Sequence, residues 1–115
     1  MKISPQSSTA LSAMFTKARL ESGMSRRVIT KRAARRLQKY SEQPGVTTVE
    51  RKLWRSTPLN WQQLVRLEEC PSNPTSDDRR RTYLLAFALA LDLDLTQVNR
   101  YAGGVPTVPP WREDS

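Results

Sequence analysis

Gln62 and Arg66 stand four residues apart in the stretch "PLNWQQLVRLEE", one turn apart if the segment is helical. At about 100° per residue, Leu59, Leu64 and Leu67 fall on one arc, and Gln62, Val65, Arg66 and Glu69 fall on the other. The outer arc is chemically pointed. Gln can bond bidentately to adenine, Arg to guanine, and Val can touch a thymine methyl, which is how side chains read base edges in the major groove. A solvated helix face with an Arg66 to Glu69 surface pair is the competing account of the same four residues.

A second set of residues suits phosphate. Between Ser22 and Ser41 lie Arg26, Arg27, Lys31, Arg32, Arg35, Arg36 and Lys39 with no acid among them. Further along, Arg51, Lys52 and Arg55 are better placed for a backbone than for bases. Lys and Arg number 19 in the chain against 11 Asp and Glu, and the excess is concentrated at the start: residues 1 to 40 hold ten basic residues and only Glu21. Cations gathered in one segment favour a polyanion, because neutralising phosphates releases condensed counterions whatever the base sequence. Nucleic acid, and double-stranded DNA in particular, is the leading partner class.

Other chemistry has little to work with. The chain has no His and one Cys, Cys70, which removes His-based acid–base catalysis and an internal disulfide and makes a zinc site very improbable. The paired carboxylates, Glu68 with Glu69 and Asp77 with Asp78, are adjacent and so diverge by about 100° on a helix. No Gly-rich phosphate loop occurs. The expectation is a non-enzyme with no cofactor, no metal and no small-molecule substrate. The longest apolar run, Tyr83 to Leu91, is nine residues against the roughly 20 needed to cross a bilayer. The N-terminus lacks a sustained apolar signal core, so the expected location is the cytosol.

The elements that must position these residues are helical. No segment alternates with period two, and Pro and Gly punctuate 3.6-residue patterns throughout. At 115 residues the chain suits one domain, here an all-α bundle of about five helices over residues 1 to 104 with an irregular tail at 105 to 115. Basic N-terminal helices occupy residues 8 to 40, the second capped by Ser25 and striped with Ile29, Ala33, Leu37 and Tyr40. "TTVE" forms a capping box from Thr47 to Glu50. Thr57 can cap the next helix with Pro58 at its first position. Core and C-terminal helices follow over residues 76 to 103, among them the uniformly apolar "YLLAFALAL" and an Asp94-capped segment.

Leu53, Leu59, Leu67, Glu68 and Pro74, followed by "LLAFALALDLDL", resemble in their spacing the helix-turn-helix domain of the phage repressor and Cro type, the xenobiotic-response-element family. The resemblance spans about residues 47 to 95. It departs from the family at Trp54, where a small Ala is usual, and at Pro58 and Cys70, where Gly is common. It implies a base-reading helix over residues 58 to 69, with Asn60, Trp61, Gln62 and Arg66 at the reading positions and Glu68 in a structural role. Trp61 also suits a core position. A rival register exists, since "ARLESGMSRR" itself looks like a first helix running into a second, which would make residues 26 to 39 the scaffold helix.

Two functions are consistent with these features. One is a sequence-specific DNA-binding transcriptional regulator of a phage or mobile element, acting as a homodimer. The other is a non-enzymatic helical interaction module with loose nucleic-acid affinity. For the dimer contact the candidates are Leu95, Val98, Tyr101 and Trp111, unless these residues cover the protein's own core.

Overall fold

The computed structural model of the protein describes residues 5 to 69, 78 to 102 and 105, with side chains for 10 to 69, 81 to 101 and 105. Six helices account for nearly all of them: α1 (Pro5–Ser22), α2 (Arg26–Ser41), α3 (Thr48–Ser56), α4 (Trp61–Glu69), α5 (Asp78–Ala90) and α6 (Leu95–Ala102). Among the described residues there is no strand, and no helix is long and apolar enough to cross a membrane. The all-α expectation holds; the count is six, not about five. The apolar helix α5 ends after Ala90, and the Asp94-capped segment follows as α6. Asp92 adopts a left-handed φ of 56°, and the N–H groups of Asp92 and Leu93 bond back to Leu89 (3.4 Å) and Ala88 (2.9 Å). These are the paired closing bonds of a helix C-terminus.

Local chemistry sets the other boundaries. Pro5 is the first residue of α1, a place where a missing N–H costs nothing. Gly23, at φ +69°, closes that helix. Ser25 accepts the Val28 N–H and opens α2. At α3 the capping box forms as the sequence indicates, with Glu50 N–H to Thr47 Oγ1 and Thr47 N–H to Glu50 Oε1 both 3.1 Å.

α4 begins three residues later than Pro58. The Thr57 hydroxyl donates to Leu53 O (2.7 Å) at the end of α3, so it is not the cap of α4. Asn60 is: its Oδ1 accepts from the N–H groups of Gln62 (3.0 Å) and Gln63 (3.2 Å). Gln63 Oε1 in turn accepts the Asn60 N–H at 3.0 Å, a reciprocal box that satisfies three donors where Thr57 offered one acceptor.

α5 is the centre of the molecule. Every residue from Leu84 to Ala90 is buried, so its apolar side chains point all round and the helix is enclosed by its neighbours. α2 makes the most extensive packing against it, α6 and α4 also pack on it, and α1 lies against α4 and α6. α3 packs on α2 alone to any extent, where Trp54 meets Tyr40 edge to face with ring centroids 5.5 Å apart. Such a pair adds about 0.5–1.5 kcal/mol beyond its buried area.

Two residues proposed for a dimer contact belong to this core. Leu95 is 2% and Val98 0% exposed, because α6 turns its apolar stripe inward onto α1 and α5. Tyr101 packs partly buried at the same edge. Val105, expected in an exposed tail, is also buried, its N–H bonded to Asn99 Oδ1 at 3.0 Å. Trp111 lies outside the described residues.

Candidate nucleic-acid interface

α4 is held by its inner face and its last turn. Leu64 and Leu67 are fully buried and Gln63 is 8% exposed, its Nε2 donating to Pro58 O at 2.9 Å. Near the C-terminal end, the Glu68 side chain, only 4% exposed, accepts from Arg19 Nε at 2.9 Å and from Arg26 Nη2 at 3.4 Å. Thr16 Oγ1 adds a bond at 3.3 Å, and the Ser12 hydroxyl donates to the Glu68 carbonyl. A buried carboxylate met by two guanidinium groups fixes one helix against two others, since losing either side strands a buried charge. The resemblance assigned Glu68 a structural role; its cationic partners were not foreseen, because they lie 49 and 42 residues away.

The opposite face of α4 is open. Gln62, Arg66 and Glu69 are exposed, and Val65 is half-buried. Trp61 is 39% exposed and sits on the rim of the open arc rather than in the core. Asn60 is exposed too, but its side-chain oxygen is taken by the cap, which leaves only the amide NH2 for a partner.

α2 divides its cations between two tasks. Arg26 serves Glu68. Arg32 and Arg36 reach Asp92 at 3.1 and 2.5 Å, and Arg36 also donates to Leu89 O at 2.5 Å, covering the end of α5. Arg27, Lys31, Arg35 and Lys39 are exposed and form no ion pair among the described residues. These four recur at every fourth residue. They make one row along the helix, about 6 Å of rise between neighbours with a drift of about 40° per step. The spacing was visible in the sequence; what hid it was the presence of Arg26 beside the row and of Arg32 and Arg36 within it.

The row borders α4. Arg26, at the start of α2, meets the end of α4 at Glu68, whereas Ala34, Leu37 and Gln38 share a cleft with Leu59, which leads into α4. The two helices therefore run antiparallel, and Arg27, next to Arg26 in sequence, begins the row near the end of α4. On α3, Lys52 and Arg55 are exposed and Arg51 is half-buried. Arg51 Nε donates to Ser41 O at 2.6 Å, capping the end of α2, so its guanidinium is partly committed.

Among the described residues no cluster of His, Cys, Asp and Glu could hold a metal ion. No family model matches the chain, and no curated protein or solved structure matches it.

Proposed function

We propose that the protein is a sequence-specific double-stranded DNA-binding regulator of the repressor and Cro type, belonging to a phage or other mobile element. α4 reads base edges in the major groove through Gln62, Val65 and Arg66, with Asn60 and Trp61 at its entry. Arg27, Lys31, Arg35 and Lys39 take phosphates beside it. The observation that carries this reading is a helix locked by Glu68 that leaves Gln62 and Arg66 exposed, with an exposed cation row on α2 that starts beside the Arg26–Glu68 contact.

The packing favours a modified version of the expected helix-turn-helix. α4 rests on α1, α2 and α5, whereas α3 leans on α2, so α1 and α2 are the scaffold and α3 is an arm placed between scaffold and reading helix. Trp54 then needs no small-residue position, since its ring packs edge to face on Tyr40 of α2. Lys52 and Arg55 on this arm are further phosphate contacts.

One short helix reads only a few base pairs, so useful specificity requires a second copy about one DNA turn away. The pairing surface of that dimer is not Leu95 and Val98, which are core. Selection of bound duplexes from a random pool tests the whole reading. A recovered two-fold motif, bound roughly 10³-fold or more above random DNA at physiological salt, is the expected result. Exposed Leu20 and Val49 favour the other reading, a helical interaction module, for which selection returns no motif.

A further inference from the structure

A cleft of about 290 Å³ opens between α2, α3 and the link into α4, lined by Ala34, Leu37, Gln38, Trp54, Arg55 and Leu59 with Ser41 and Thr57. Its size is at the lower edge of small-molecule sites, about 300–1,000 Å³. Ala34, Leu37, Trp54 and Leu59 give it apolar walls. Its hydroxyls are engaged internally, Ser41 Oγ donating to Gln38 O and Thr57 Oγ1 to Leu53 O. The groups left to meet a ligand are the exposed Arg55 guanidinium and the exposed Gln38 amide. Among the described residues no carboxylate lines the cleft and Arg55 has no ion-pair partner.

We infer that this cleft binds a small carboxylate with a compact aromatic or branched aliphatic body. The body lies on Leu37, Trp54 and Leu59, and the carboxylate takes the Arg55 fork, the geometry for which guanidinium is suited. Because Thr57 and Leu59 immediately precede the Asn60 cap, an occupant also touches the segment that sets where α4 begins. A consequence for DNA affinity rests on the function proposed above; binding to the cleft does not.

The test is a titration of the intact, isotope-labelled chain with benzoate, phenylacetate and isovalerate, followed by amide and Trp54 indole NMR signals. Expected are saturable shifts at Ala34, Gln38, Trp54 and Arg55, extending to Asn60 through Gln63. Benzamide, which keeps the ring and loses the charge, binds about tenfold more weakly or less, and Arg55→Gln weakens the acids by a similar factor. Ala34→Leu, an exposed helical position that tolerates the longer side chain, fills the cleft and abolishes the shifts while the far-UV CD spectrum is retained. The inference is overturned if none of the three acids gives saturable shifts in the cleft, or if their binding is indifferent to both substitutions. Measuring duplex affinity with and without the bound acid then separates the two proposals: a ligand that binds a protein with no DNA preference leaves the site standing and removes the regulator.

Discussion

Glu68 is the residue on which the candidate reading face depends mechanically. Glu68→Ala leaves Arg19 and Arg26 beside an emptied, largely buried position, and removal of one partner from such a pair costs about 3–5 kcal/mol; urea denaturation should register a loss toward the lower end, since Arg26 is partly exposed. Arg66, two residues earlier and on the open face, is the opposite case. Arg66→Ala should leave stability within about 0.5 kcal/mol, cost about 1–3 kcal/mol at the cognate duplex and relax preference at one base pair. Equal weakening on specific and random DNA would show that Arg66 reads nothing. Tyr40 carries a pH dependence: burial first, and the nearby Glu50 carboxylate second, raise its phenol above the ordinary value. A raised folded value means the neutral form is the one the fold favours. That contribution is fully present below about pH 10, the ordinary tyrosine value, and is lost as pH climbs from there through the folded value. Alkaline unfolding curves of the protein and of Tyr40→Phe should therefore diverge only above about pH 10.

At the scale of elements, α2 separates structural from free cations, and the two groups should respond differently to substitution. Changing Arg27, Lys31 and Arg35 to Gln should reduce affinity for every duplex and lower the salt slope by about one unit per lost contact, with stability retained. Arg32→Gln with Arg36→Gln should instead act on folding. Each exposed pair with Asp92 is worth little, about 0–1 kcal/mol, but loss of the Arg36 bond to Leu89 O also uncovers the end of α5. An unchanged salt slope in the first variant would make α2 an ordinary solvated face. Local signals in the sequence marked most of these elements well: Ser25, Thr47 with Glu50, and Asp94 all open helices where residue type indicates. They marked α4 less well, because Thr57–Pro58 and Asn60–Gln63 are both valid starts and only the hydrogen-bond competition for Thr57 decides between them. The separation of α5 from α6 was legible through Asp94, but the left-handed turn at Asp92 that closes α5 was not, since a non-glycine residue in that region has no unique sequence signature. The outward arc of α4 follows its periodicity and was legible; which α2 cations face it depends on contacts 40 to 60 residues apart and was not.

For the molecule as a whole, the inward turn of α6 changes what its residues can do. Leu95, Val98 and Tyr101 have the spacing of an exposed stripe, and periodicity alone cannot say whether a stripe meets the chain's own core or a second copy. With Leu95 and Val98 buried, a chain ended at Leu93 forfeits about 1.5–3 kcal/mol for each side chain, a large share of the 5–15 kcal/mol that holds a domain together. Such a chain should show lost cooperativity in thermal melting by CD. A stable, cooperatively folded product would return α6 to the surface.

The acids at Glu68 and Asp92 have one more effect. By neutralising Arg26, Arg32 and Arg36, they leave the unpaired positive charge of α2 gathered in the row from Arg27 to Lys39. Near a polyanion a body of this kind experiences a torque as well as an attraction. It is rotated before contact so that the row from Arg27 to Lys39 leads, which shortens the orientational search that otherwise slows docking by orders of magnitude. On the DNA-binding function proposed above, the two acids thus act on the rate of encounter while remote from any phosphate. Asp92→Asn, which frees Arg32 and Arg36 from their carboxylate, should blur that orientation even though it makes the protein more positive.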